Sequence, residues 1–197
     1  MLIYLMRHGE TEWNVLRRMQ GRSDIPLNET GHAQARAAAE GMKHLPIDLI
    51  LCSPLVRTQE TALAIAKGRD VDIVVSSLLL EMGFGDLEGL VLRENPQCKK
   101  IFNEPENYIP SGGGESYAEL DERCRQVIED LILPLVGKYE HPLFVTHGAL
   151  IKGILRRLRG DSIADFWKTP PQKNCSCTVL EYKDGALTII EEGRIYG

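Results

Sequence analysis

No apolar run in this chain approaches the roughly eighteen residues of a membrane-spanning helix, so no membrane partner is expected. Positive charge is scarce too: 23 Lys and Arg against 28 Asp and Glu give a net charge of -5, with a pI of about 5.6. Nucleic acids call for a basic face, so none is expected as a partner. The five cysteines, Cys52, Cys98, Cys124, Cys175 and Cys177, are an odd number without the rhythm of a disulfide framework. Cys175 and Cys177 fall on one face of a strand pattern and are poorly placed to bridge each other. They read as buried thiols in a reducing compartment. The five histidines include no pair at helical i, i+4 spacing and none beside a cysteine pair. No metal and no other cofactor is expected. Met1 opens onto a strand pattern, with no basic segment, apolar stretch and cleavage site in series. The expected location is cytoplasmic.

What is present is an alternation of strand and helix signals over 197 residues, a length that suits one domain, residues 1–197, with a single core. Leu2 to Met6 is a near-continuous apolar strand, as in the middle of a parallel sheet. An alanine-rich helix follows from Thr30-Gly31 to about Lys43. Leu49 to Cys52 is a second buried strand, and Ser53-Pro54 opens a helix to about Lys67 with proline near its first turn. Val71 to Val75 is a third strand. Between Gly83 and Gly114 the pattern weakens, with short helical pieces around Leu92 and Ile101. This stretch reads as a small cap insertion over the crevice. Ser116 and Glu119 form a capping box, and Leu120, Cys124, Val127, Ile128, Leu131, Ile132 and Leu135 mark one face of the helix behind it. Pro134 should end or kink that helix. A strand to Thr146, a helix to about Leu158 and a hairpin around Asp184-Gly185 complete the chain. The fold class is α/β, three layers α/β/α around a mixed, mostly parallel sheet. The hairpin's outer edge is the one surface that suggests pairing with a second copy, a homodimer.

Two histidines stand at the ends of buried strands. Arg7-His8-Gly9-Glu10 follows Leu2 to Met6, and Thr146-His147-Gly148 follows Leu143-Phe144-Val145. In an open α/β sheet, side chains leaving the carboxyl ends of parallel strands meet in one crevice. Arg57, in the first turn of the helix after the second strand, should join them. Singly, each has a bland reading: Arg57 as a solvated charge, His147 as a satisfied core histidine, Glu81 as a partner for some surface cation. Together, Arg7, His8, Arg57 and His147 would repel one another without an anion between them. A phosphoryl group would remove that cost, and Gly9 and Gly148 would let backbone and helix N-termini approach it.

Leu5-Met6-Arg7-His8-Gly9-Glu10-Thr11, Ser53-Pro54-Leu55-Val56-Arg57-Thr58, Glu81 with Gly85-Asp86-Leu87-Glu88-Gly89, Gly113-Gly114-Glu115-Ser116 and Thr146-His147-Gly148 together resemble the histidine phosphatase superfamily, the phosphoglycerate-mutase-like fold. The resemblance implies His8 as nucleophile, Arg7, Arg57 and His147 as the phosphate pocket, and Glu81 as proton donor. It implies Asn14 as a further phosphate contact, with Gln20, Gly21 and Gly148 as binding positions. Neighbouring guanidinium groups should keep His8 neutral and able to attack. The expected partner is a small phosphorylated metabolite.

Two branches share this phosphohistidine chemistry: phosphatases, and cofactor-dependent phosphoglycerate mutases, which are isomerases. The mutase branch resembles a longer chain with Glu-Arg-X-Tyr-Gly at this acid and further arginines in its insertion. Here the segment is Glu81-Met82-Gly83-Phe84-Gly85, and the stretch from Leu90 to Gly114 holds only Arg93, Lys99 and Lys100 as cations. A phosphatase is therefore expected. A catalytically inactive binding module is the third reading, weighed against the presence of every pocket residue.

Overall fold

The fold is known from a computed structural model and is described for every residue except Arg93, so that insertion cation lies outside the described residues. Six strands form one sheet: β1 (Leu2–Arg7), β2 (Leu49–Cys52), β3 (Ile73–Val75), β4 (Pro142–Thr146), β5 (Ser176–Lys183) and β6 (Ala186–Ile195), in the order β3-β2-β4-β1-β5-β6. The first four in that order are parallel, while β5 pairs antiparallel with both β1 and β6. The mixed, mostly parallel sheet is the expected one. Asp184 (φ 52°) and Gly185 (φ 82°) turn the hairpin, both left-handed as a type I′ turn requires.

Alternation along the strands divides the core into two faces. Ile3, Leu5, Leu49, Leu51, Phe144 and Leu180 point to one face and pack against α5 (Tyr117–Gln126) and α6 (Gly148–Arg159). Tyr4, Met6, Ile50, Cys52, Leu143 and Val145 point to the other, against α2 (Glu29–Gly41) and α3 (Val56–Ala66). Both faces are covered, which explains why these strands read as continuous apolar runs and not as alternating ones. The insertion joins the first face: Phe84, Leu87, Cys98 and Ile101 are buried in the same cluster as α5 and α6.

Several boundaries differ from the sequence expectation. Pro54 lies outside α3, in the bend before the Leu55 N-cap; Leu55 has no side-chain cap, and the Val56 N–H is taken instead by Asp24 Oδ1 at 2.7 Å. The piece around Leu92 is a turn, while that around Ile101 is a helix, α4 (Pro96–Asn103). A further single-turn helix, α1 (Glu12–Val15), was not expected; Thr11 and Asn14 form its capping box. The Ser116–Glu119 box is present on α5, which widens into a π-helical stretch over Val127–Ile132 and ends in a 3₁₀ turn holding Pro134. All five cysteines are free and buried. Cys175 stands just before β5 with φ 53°, so it is not in the strand with Cys177. Among the described residues no helix is long and apolar enough to cross a membrane.

Candidate active site

The sheet ladder runs one step past the ends of β1 and β2. The His8 N–H donates to Thr146 O (3.0 Å), and the Ser53 N–H donates to Val145 O (3.2 Å). His8 and Ser53 therefore flank His147, the residue that follows β4 and caps α6. The two imidazole centroids are 5.2 Å apart at an interplanar angle of 61°. Both rings are buried, His8 at 2 % exposure and His147 at 0 %. Burial first, then the charges of Arg57 and other nearby groups, hold both well below the ordinary histidine pKa. Both are neutral near pH 7.

Each ring has one edge occupied. His8 Nδ1 is 2.7 Å from Gly9 O. A carbonyl only accepts, so Nδ1 carries the proton and Nε2 keeps its lone pair. His147 Nε2 is 2.9 Å from Ser53 Oγ, and His147 Nδ1 is buried with no partner. The Leu55 N–H donates to one lone pair of Ser53 Oγ, at 3.4 Å, and the hydroxyl can give its own proton to Nε2. In that tautomer Nδ1–H is the donor edge.

The two arginines are the other unusual feature. Arg57 is completely buried and pairs with no carboxylate among the described residues; Nη1 donates to Ser23 O and Nη2 to Gly21 O, each at 2.8 Å. Burial pulls its pKa down to about 10, offset by the more distant charges of Glu81 and Asp24. Arg7 gives Nη1 to Gln172 O at 2.7 Å. The Nε atoms of both arginines are buried without a partner. A buried guanidinium without a counter-ion is costly unless an anion completes it. Arg57 does not present its whole fork, because two of its nitrogens already hold backbone carbonyls.

Glu81 sits against the N-terminus of α6. Its Oε2 accepts from the Ala149 N–H and its Oε1 from the Leu150 N–H, both at 3.2 Å, and Oε1 also accepts from Met82 N at 2.9 Å. The other acids near it are engaged elsewhere. Glu88 accepts from the N–H groups of Arg22, Ser23 and Phe84 and from Ser23 Oγ. Glu115 forms a two-point ion pair with Arg123, at 2.8 and 2.6 Å.

The remaining sequence candidates separate into two groups. Asn14 lies near His8: Asn174 Nδ2 donates to both His8 O (3.1 Å) and Asn14 Oδ1 (3.3 Å). Gly148 is also close, since a Cβ there would meet Arg7 Nε at 3.7 Å. Gln20 and Gly21 act at one remove. Gln20 Oε1 accepts from Thr11 Oγ1 at 3.0 Å, and Gly21 O holds Arg57. The role expected of Gly9 is corrected. A Cβ there would lie 2.6 Å from Gly31 O, and its N–H donates to Thr61 Oγ1. Its missing side chain serves packing against α2, and its amide is not free for an anion.

Comparison with known proteins agrees with this geometry. A profile of the histidine phosphatase superfamily (branch 1) matches residues 3–193. The chain belongs to the histidine phosphatase superfamily. Within it, the chain is 37 % identical over 187 residues to the probable phosphoglycerate mutase GpmB of Photorhabdus laumondii, covering 92 % of this chain and 85 % of that one. Two solved structures have TM-scores of 0.85. A mycobacterial glucosyl-3-phosphoglycerate phosphatase is 28 % identical, with 98 % of both chains covered. A phosphoserine phosphatase variant from Entamoeba histolytica is 29 % identical, with 98 % of this chain and 96 % of that one covered.

Seen as a histidine phosphatase superfamily member, the chain also shows what sequence reasoning passed over. Beside Arg7, Glu81 and Gly148 opens a cavity of about 510 Å³, whose wall includes Phe84, Phe102, Lys152 and Trp167. Ser53 was quoted only as part of a motif, yet it orients His147. Arg123 gives Nη1 to Leu78 O and Leu80 O and so holds the backbone leading to Glu81. No local signal marks these roles, because each partner is distant in sequence. Among the described residues no three His, Cys, Asp or Glu side chains are arranged to hold a metal ion.

Proposed function

We propose that this protein is a phosphatase that hydrolyses a small-molecule phosphomonoester through a phosphohistidine on His8. The observation that carries this reading is the set of buried donors without protein partners, Arg7 Nε, Arg57 Nε and His147 Nδ1, grouped with a neutral His8 whose Nε2 is unprotonated. Three donors and two fixed positive charges suit the equatorial oxygens of a transferring phosphoryl group, which is stabilised chiefly by positioned charge.

In the first step His8 Nε2 attacks phosphorus, the Nε2–P bond forms as the ester P–O bond breaks, and Glu81 gives its proton to the leaving oxygen. The imidazolium so formed keeps its Nδ1–H on Gly9 O. In the second step Glu81 takes a proton from water, the water oxygen bonds to phosphorus and the Nε2–P bond breaks. Free phosphate leaves and His8 returns to neutral.

Hydrolysis is favoured over mutase chemistry by what the insertion brings to the cavity. Phe102 and Asn103 line it, while Lys99 and Lys100 are exposed and Lys100 faces a different groove. Where the mutase branch has arginine after the acid, Met82 is fully buried in the core. The sequence relatives named as probable mutases pull the other way, and the structural relatives named as phosphatases support the reading.

The test uses 3-phosphoglycerate with and without 2,3-bisphosphoglycerate, measuring inorganic phosphate and 2-phosphoglycerate together, with p-nitrophenyl phosphate as a second substrate. A phosphatase releases phosphate from the ester it accepts. Formation of 2-phosphoglycerate faster than phosphate, dependent on the bisphosphate, would establish the mutase instead.

A further inference from the structure

Lys152 is a buried cation with no part in the chemistry above. It lies on α6 at 5 % exposure and reaches the wall of the cavity that also touches Arg7 and Glu81. Its Nζ donates to Thr169 O at 2.8 Å and to Thr169 Oγ1 at 2.6 Å, and lies 5.7 Å from the centre of the Trp167 ring. No acidic side chain among the described residues pairs with it. Arg159, the other cation that bears on it, is turned to Glu192. Burial, and after it Arg159, pushes the lysine pKa down to about 8. The ammonium is thus held where its charge is uncompensated, as the two arginines are on the phosphoryl side.

An ammonium has three N–H groups. Thr169 takes two, which leaves one donor and one positive charge for whatever fills the cavity. The geometry points to Lys152 as the residue that selects a phosphomonoester whose leaving group carries a carboxylate, bound at Nζ. This deepens the phosphatase reading and rests on it. A carboxylate matches a single donor and a single charge. A second phosphate would bring up to about two negative charges, and this site meets a phosphoryl group with two guanidinium groups and an imidazole, not with one ammonium. The apolar wall of Phe84, Phe102 and Trp167 strengthens the pairing by lowering the local dielectric. Lys152 is therefore a specificity residue, apart from the reacting atoms.

The experiment compares kcat/KM on three esters of a primary alcohol: 3-phosphoglycerate, glycerol 3-phosphate, which has a hydroxymethyl group in place of the carboxylate, and 1,3-propanediol bisphosphate. p-Nitrophenyl phosphate reports whether the phosphoryl chemistry is intact. The wild-type protein should prefer the carboxylate over the hydroxymethyl ester by about tenfold or more, the range of a hydrogen bond to a charged group. Lys152→Met, which keeps the apolar stem over Trp167, should bring that ratio close to one, and Lys152→Arg should retain most of it. A wild-type ratio near one, a preference for the bisphosphate, or a ratio unchanged in Lys152→Met overturns the assignment. So does an equal loss on all esters with a lowered Tm, which would make Lys152 only a tie to Thr169. If no ester and no p-nitrophenyl phosphate releases phosphate, the phosphatase reading itself fails, a result distinct from hydrolysis without selectivity.

Discussion

Ser53 Oγ lies 2.9 Å from His147 Nε2, and Nδ1 of the same ring is buried without a partner. The serine thereby occupies one edge of the imidazole, and by donating to Nε2 it would leave Nδ1–H as the donor. Ser53→Ala should free Nε2 and mix the tautomers, lowering kcat by about tenfold, less than the roughly 10²–10³ lost when such a donor is removed outright. Ser53→Thr keeps the hydroxyl and should keep most of the rate. A Ser53→Ala variant with unchanged kcat and an unchanged Tm would show that the contact has no bearing on catalysis.

The phosphoryl group should reside on His8. Rapid quench with labelled substrate should give protein-bound label that survives base and is lost in acid, as a phosphoramidate is. His8→Ala should lose label and turnover together. Label persisting in that variant, or found on a cysteine or serine, refutes the assignment.

Glu81 should matter in proportion to the basicity of the leaving group. Glu81→Gln removes the proton and keeps the side chain's size, with one acceptor left for the α6 amides, so an alkyl ester should slow by about 10²–10⁴. p-Nitrophenolate leaves unaided, and its phosphorylation step should slow far less. Equal losses would make Glu81 a structural residue. Glu88 and Glu115 do not then inherit the role by geometry, since neither lines the cavity that Glu81 shares with Arg7.

Arg123 should act through position. Its contacts with Leu78 O, Leu80 O and Glu115 are largely buried. Arg123→Leu leaves Glu115 without its closest cation and should cost about 3–5 kcal/mol of stability. The pair replacement Arg123→Leu with Glu115→Leu should recover part of that. If the Arg123→Leu variant holds its Tm, the ion pair contributes nothing to the fold.

The two buried imidazoles impose a pH dependence with a definite sign. Their folded pKa values lie well below 6.5. In the unfolded chain each takes up a proton near pH 6.5. Below that pH the unfolded state binds more protons, so stability is full above about 6.5 and is lost as pH falls toward the folded values. Tm should drop between pH 7 and 5, and less steeply in a His8→Ala, His147→Asn double variant. The acid limb of kcat/KM should also lie below the ordinary histidine range. A limb at or above 6.5 would mean that His8 is not held neutral as the site implies.

Much of this molecule was determined locally. Apolar runs with strand lengths, the Ser116–Glu119 capping box and the Asp184-Gly185 turn each depend on residues a few positions apart, where side-chain period and backbone preference decide the outcome. The placing of Arg7, His8 and His147 at one sheet edge follows from the shared direction of parallel strands, while the pairing of β1 with β4 that makes the two histidines neighbours is tertiary. Tertiary structure decided the hydrogen-bond partners. Arg57 gives its outer nitrogens to Gly21 and Ser23, more than thirty residues away. Gly9 lies against Gly31, and Lys152 faces a cavity instead of solvent. A side chain's type states what it can donate or accept. Which group stands within 3 Å of it is settled only when distant segments pack, because burial makes every such group find a partner or await one.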